Sequence, residues 1–225
     1  MKTEAIQTML SRVIPLATPQ TLQARQPCDS PQNQLPMIDD FTTGIYRVKL
    51  RENDDTNIQR GANIVGCFRQ TRFIVPAGNQ FNQTAALEIR REGALIVNSD
   101  YKVFHRLEVV YGVDAQGRNA PLDLSLRSAG YDRFRVRFDG NDLVLNFNIV
   151  VFDGDGNISS HGFNVSPDIN PFDLDFLLDD FTSNAAPADF DNIHFIALVF
   201  QSGNAVGAND YAITSLKVAN DPAVP

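Results

Sequence analysis

Between residues 131 and 152 apolar and polar positions alternate twice. Phe134, Val136 and Phe138 interleave with Arg133, Arg135 and Arg137. After Asp139, Gly140, Asn141 and Asp142, the residues Leu143, Leu145, Phe147 and Ile149 resume the alternation against Asn146 and Asn148. Side chains of a strand project to opposite faces with period two, so each run predicts a strand with one face in a core and one in water. A Gly/Asn turn between two such runs predicts a β-hairpin. Its outer face would carry three arginines beside two asparagines.

The rest of the chain repeats this grammar. Residues 37–41 read as a short strand, and Tyr46, Val48 and Leu50 alternate before a polar loop over 51–61. Residues 64–68 and 72–75 read as strands, stopped by Pro76, Ala77, Gly78 and Asn79. Residues 86–90, a turn at Glu92-Gly93 and residues 94–97 form the next pair. A longer strand is expected over 102–113, with 121–127 as its return partner. Asp153, Gly154, Asp155, Gly156 and Asn157 form a second turn of the opening kind. Ile193 to Phe200 is nearly all apolar and reads as a strand buried on both faces, and Tyr211 to Val218 closes the domain.

Turn signals recur roughly every 8–12 residues with almost no helical period, the pattern of a sandwich or barrel. The fold expected is one all-β, antiparallel jelly-roll β-sandwich over residues 37–219. An irregular N-terminal leader precedes it over 1–36, where Pro15, Pro19, Pro27, Pro31 and Pro36 punctuate a Gln-rich stretch with at most one helical turn at 3–13. Residues 220–225 form a tail.

Composition narrows the function classes. With 225 residues, 43% hydrophobic content and 16 Phe, the chain has ample material for a core. A net charge of −8 argues against a nucleic-acid backbone as partner. No 18-residue apolar run is present, so no membrane span is expected. The first residues only faintly resemble an export signal, because Glu4 and Arg12 interrupt its charge and apolar regions. Cys28 and Cys67 are the only cysteines: they form either one disulfide in an oxidising compartment or two buried thiols. His105, His161 and His194 stand singly, at no zinc-ligand spacing.

Ile38-Asp39-Asp40-Phe41 near the start and Asp210-Tyr211-Ala212-Ile213-Thr214-Ser215-Leu216 at the end resemble the terminal strands of jelly-roll domains of the carbohydrate-binding-module and galactose-binding type. In such domains an I-D-D-F first strand often pairs with an I-D-x-I last strand, and residues 130–152 look like their inner-sheet hairpin. The resemblance implies a jelly roll, carbohydrate binding and a secreted bacterial source. Two departures stand out: the chain has no Trp for stacking a sugar ring, and Ala212 and Thr214 occupy last-strand positions where the family often has another Asp.

Several constellations could carry chemistry. Arg133, Arg135, Arg137, Asn146 and Asn148 would share one face, and guanidinium forks and amides suit sugar hydroxyls, carboxylates or sulfates. Tyr101, Tyr111 and Tyr131 are the aromatics available for stacking, with Tyr131 nearest that face. The plain alternative is an outer sheet face kept soluble by charge. For calcium, Asp153, Asp155 and Asn157 begin like an EF-hand loop, but Ile158 and Asn164 occupy its sixth and twelfth positions, and a tight turn accounts for the residues equally well. The resemblance implies another Ca2+ site, with Asp39 or Asp40 meeting Asp210; otherwise these aspartates cap strands. Asp173, Asp175, Asp179 and Asp180 read as a solvated, charged strand edge. No G-x-S-x-G elbow, H-E-x-x-H, P-loop or dinucleotide fingerprint occurs, so no catalytic site is expected. Sequons at Asn82, Asn157 and Asn164 are expected by chance in an Asn-rich chain.

Two functions compete on these grounds. One is a non-catalytic, extracellular or cell-surface module that binds a carbohydrate or acidic polysaccharide, with calcium adding stability. The other is an assembly subunit, a homo-oligomer of a surface layer, filament or adhesin, built through sheet faces and an N-terminal arm.

Overall fold

The computed structural model describes residues 36–78, 82–202 and 208–220. Thirteen strands follow in chain order: β1 (Met37–Asp39), β2 (Tyr46–Leu50), β3 (Asn53–Arg60), β4 (Phe68–Val75), β5 (Ala85–Arg90), β6 (Ala94–Ser99), β7 (Arg106–Tyr111), β8 (Arg133–Asn141), β9 (Leu145–Asp153), β10 (Ile158–Val165), β11 (Phe172–Leu177), β12 (Ile193–Ser202) and β13 (Tyr211–Ala219). Among the described residues the helical element is a 3-10 turn, Leu178–Asp180. The strands form two antiparallel sheets that face each other across one core. Sheet one runs β11-β8-β13-β6-β5-β2, with β1 also on β13; sheet two runs β10-β9-β12-β7-β4-β3. Successive strands repeatedly cross between sheets, which is the jelly-roll arrangement expected from the turn spacing.

The crossing at residues 142–144 overturns the hairpin expected over 131–152. β8 pairs with β11 and β13, whereas β9 pairs with β10 and β12. Two strands that face each other from opposite sheets show the same alternation as two neighbours in one sheet, because both turn their apolar side chains to a common core. Phe138 and Phe147 meet across that core edge to face, with centroids 6.0 Å apart. Phe147 also stacks on Phe200 at 4.2 Å and meets Phe176 edge-on at 5.0 Å, which locks both sheets around one aromatic cluster.

Other expectations shift for local reasons. The polar loop expected at 51–61 contains β3, paired with β4 at eight positions; its charged residues suit an edge strand, which needs no apolar face. Residues 64–68 do not form a strand, because Gly66 (φ 68°) and Cys67 (φ 77°) are both left-handed there. β7 starts only at Arg106, and residues 121–127 meet the start of β12 rather than β7, through Leu122 N–H to His194 O and Leu124 N–H to Ile193 O. The Asp153–Asn157 turn does close a hairpin, β9–β10, and β12 is central between β9 and β7, as its apolar run predicts.

Cys67 is disulfide-bonded; the chain's other cysteine is Cys28, which lies outside the described residues, as do the leader and tail expectations for 1–35 and 221–225. No helix among the described residues is long and apolar enough to cross a membrane.

Candidate functional site

Because β8 and β9 lie in different sheets, the expected Arg/Asn face does not exist as one surface. Arg133, Arg135 and Arg137 project from the outer face of sheet one, and Asn146 and Asn148 from the outer face of sheet two, on the far side of the core. The arginines are engaged by their own neighbours. Arg135 donates to Asp175 at 2.6 and 2.9 Å, Arg133 to Asp175 at 3.0 Å and to Asp132 at 2.6 and 2.8 Å, and Arg137 to Asp173 at 3.2 Å. The bonds from Arg133 hold the Asp132 carboxyl below the usual carboxylate range. Three guanidiniums thus face three carboxylates, and the acidic cluster expected to be solvated at Asp173 and Asp175 is the other half of this ladder. Tyr131 is half-buried against the core beside it. Tyr111 is fully buried, and Tyr101 is exposed with Lys102 above its ring.

The acidic residues paired by resemblance are also separated. Asp39 is fully buried, accepting from Arg69 at 2.5 Å, the Tyr111 hydroxyl at 3.0 Å and the Phe41 N–H at 2.8 Å. Asp40 accepts from Thr42 and Asn63. Asp39 lies opposite Leu216, whereas Asp210 precedes β13 and accepts from Ser99 N–H. Six residues of strand separate those levels, about 20 Å at ~3.3 Å each. Among the described residues no three His, Cys, Asp or Glu side chains converge on a metal position, and Asp39, Asp40 and Asp210 do not fit one calcium ion. Asp153 spends its oxygens on Asp155, Asn157 and Asp189 N–H groups and the Asn157 amide, as a turn-forming Asp does.

The outer face of sheet two is differently built. Register places side chains in rows across the strands. One row is polar: Asn164, Asn146, Gln201 and Arg106. The next is Gly162, Asn148, Val199, Glu108 and Arg72. A third is mainly apolar, with Val150, Ala197 and Val110 at its centre, and a fourth is aromatic, with Ile158, Phe152, Phe195 and, on β4, Phe68. Alternation explains the apolar rows: Ile149, Leu198 and Val109 fill the core, so Val150, Ala197 and Val110 point away from it.

Within the polar rows the groups are held. Arg106 and Glu108 form an ion pair at 2.7 Å, and both side chains are largely buried. Burial pushes the Glu108 carboxyl above its ordinary range, against the pull of Arg106 and Arg72. The Glu108 Oε2 atom has no hydrogen-bond partner among the described residues. Arg72 is held towards the edge by Asp54 at 2.7 and 2.9 Å. A Cβ on Gly162 would lie 1.9 Å from Asn148 Oδ1, so any other residue there must displace that amide. Amides, a guanidinium and a carboxylate thus stand in register beside an apolar and aromatic floor. A concavity of about 690 Å3 opens at the β2–β3 edge between Thr42–Ile45, Asn57–Arg60 and Arg91.

Of the residues expected from sequence, Asn146 and Asn148 belong to this face, while Arg106, Glu108, Gln201 and Arg72 were not singled out. Their signal was faint: lone polar residues inside strands otherwise rich in Val, Leu and Phe.

No family model matches the chain, and no curated protein matches it. Solved structures resemble it in part. The family 11 carbohydrate-binding module of a cellulosomal cellulase from Clostridium thermocellum is 13% identical over 81% of this chain and 92% of that one, with a TM-score of 0.41. An agarase is 14% identical over 62% of this chain, at a TM-score of 0.42, and this chain spans only 22% of its length. A carbohydrate-binding module solved with β-1,4-galactotriose is 10% identical over 58% of this chain and 84% of its own, at 0.33. The sandwich assignment rests on the strand order above.

Proposed function

We propose that this chain is a non-catalytic carbohydrate-binding module that works outside the cytoplasm, and that its ligand lies on the outer face of sheet two. The observation that carries this reading is the pair of in-register polar rows, with Asn146, Asn148, Gln201, Arg106 and Glu108, beside the apolar rows. Sugar rings present directional hydroxyls at their edges and apolar C–H faces; the amides and guanidinium of the polar rows suit the first, and the partly exposed Phe152, Phe68 and Ile158 suit the second. The disulfide at Cys67 suits an oxidising compartment. With the sheet-one arginines already paired and the net charge at −8, a neutral polysaccharide suits the protein better than an acidic one.

Affinity electrophoresis against a panel of neutral and acidic polysaccharides tests the proposal. Arg106→Ala and Asn148→Ala should each weaken binding by roughly tenfold or more, the loss of one charge-assisted or well-placed hydrogen bond. Failure of the native protein to bind any member of the panel removes this reading.

Self-association is the second reading, and the β10 edge favours it. Gly162, Phe163 and Asn164 are exposed there, and no charged residue occurs from Ile158 to Val165. The edge strands β2, β3 and β11 carry Arg47, Lys49, Asp54, Asp55, Arg60, Asp173 and Asp175. Uncharged edges invite pairing with another chain. Concentration-dependent sedimentation that Phe163→Lys abolishes would support assembly; a monomer at all concentrations would remove it.

A further inference from the structure

Most arginines of this chain hold a carboxylate of their own. Arg47 pairs with Glu88, Arg72 with Asp54, Arg118 with Asp114 and Arg127 with Asp179, besides the ladder on sheet one. Arg60 and Arg91 depart from this pattern. Both are exposed, and among the described residues neither side chain makes an ion pair or a hydrogen bond. Arg60 ends β3 in sheet two, and Arg91 follows β5 in sheet one. Yet both line the concavity of about 690 Å3 at the β2–β3 edge. Its described lining contains no Asp or Glu, in a chain of net charge −8. That volume is in the range of a small-molecule site.

The loop on the same wall is turned to help. Arg69, fully buried behind it, draws in the carbonyls of Thr43 and Gly44 at 2.9 Å each. In a planar trans peptide the N–H points opposite to the C=O, so the N–H groups of Gly44 and Ile45 turn away from Arg69. Neither N–H is hydrogen-bonded among the described residues. Gly44 is left-handed at φ 68°, a turn conformation in which neighbouring N–H groups face one anion. Exposed Ile45, with Ile58, adds apolar surface for the body of a ligand.

The concavity is separate from the polar rows of sheet two. Asp54 lies opposite Ile74, and Ile74 opposite Arg106. Arg60 is six residues further along β3, about 20 Å at ~3.3 Å each.

We propose that this concavity is a ligand site for a small molecule bearing a carboxylate, sulfate or phosphate group. Arg60 and Arg91 grip that group from the two sheets, and the backbone N–H groups of Gly44 and Ile45 complete its cradle. These oxyanions share the paired oxygens that a guanidinium fork binds with two parallel hydrogen bonds. The site does not depend on the carbohydrate reading.

The test follows backbone amide and arginine Nε–H signals of the isotope-labelled full chain by NMR. Sodium phosphate, sodium sulfate or trigalacturonate is added at constant ionic strength, with galactotriose as the neutral probe. Saturable shifts at Gly44 and Ile45 with at least one anion, and none with galactotriose, are expected. Arg60→Ala and Arg91→Ala should each weaken that binding roughly tenfold, the loss of a charge-assisted hydrogen bond. Arg47→Ala removes the same charge from the neighbouring edge strand and should leave affinity within about twofold. A response to phosphate or sulfate alone marks the group as a tetrahedral anion, and a response to trigalacturonate alone marks a sugar carboxylate. No saturable shift with any anion overturns the proposal. So does binding that the two alanine variants leave intact, or an equal loss in all three variants, which would mean net charge only. The native titration decides even where a variant melts early. If an anion binds here but no polysaccharide binds the protein, the site stands and the carbohydrate reading fails.

Discussion

At the scale of single residues the molecule's costliest feature is the buried pair Arg69–Asp39. Arg69 is fully buried, donating to Asp39, to the carbonyls of Thr43 and Gly44 at 2.9 Å each, and to Gln59 at 3.1 Å. Each of its three nitrogens donates to a partner, which is what lets a guanidinium sit between sheets. Asp39→Ala would leave that charge without its counterion, so a loss of about 3–5 kcal/mol in urea unfolding is expected. A change under about 1 kcal/mol would mean the pair contributes nothing net. His105 is a second buried titratable group, set between Phe73 and Tyr211. Burial pushes its pKa down to about 4. An unfolded histidine protonates near 6.5, so between those values protons favour the unfolded chain. The stability that follows is fully present above pH 6.5 and is lost as the pH falls towards 4, a change on the order of 3 kcal/mol. Melting curves of His105→Leu compared with the native protein should show a difference that depends on pH only in that window; a pH-independent difference would rule the histidine out as its source. Neither role was legible beforehand. The family resemblance points Asp39 and Asp40 towards calcium, and the arginine that claims Asp39 is thirty positions away in the sequence.

Among the elements, alternation was a faithful guide to which side of a strand meets the core and a poor guide to its neighbour. Phe134, Val136, Phe138, Leu145, Phe147 and Ile149 are all in the core as the pattern requires. The turn after β8 was misread because a short link can cross the sandwich as readily as close a hairpin. β3 was missed since an edge strand of Asn, Asp and Arg has no apolar face to show. The β9–β10 hairpin, by contrast, is genuine and gives a sharp test through Gly162. Alanine there would displace the flexible Asn148 amide, with little effect on the strands. Gly162→Ala should therefore change stability by no more than about 1 kcal/mol. It should still weaken polysaccharide binding about as much as Asn148→Ala does. Normal affinity with a normal melt would show that Asn148 does not contact the ligand.

For the whole molecule, the crossing between β8 and β9 decides which surface can bind. It sends the arginines and the asparagines to opposite sides of the sandwich, and only one side keeps polar groups in register beside an apolar floor. The sheet-one ladder is a closed set of charges: Arg135 is nearly buried, and Asp175 answers both it and Arg133. Its role is to hold the edge strand β11 on β8, so removal should be felt in stability. Arg135→Ala is expected to cost about 1–3 kcal/mol, the value of charge-assisted bonds lost at a largely buried site. Polysaccharide affinity should stay within about twofold, since no contact with the ligand is removed. Arg106→Ala on the other face should cost affinity where Arg135→Ala does not, and it should also cost stability, because it leaves the buried Glu108 without its counterion. Measuring unfolding and binding on the same two variants separates the faces. Should Arg135→Ala lose binding while Arg106→Ala keeps it, the ligand lies on sheet one, and the ion-pair ladder must open to receive it.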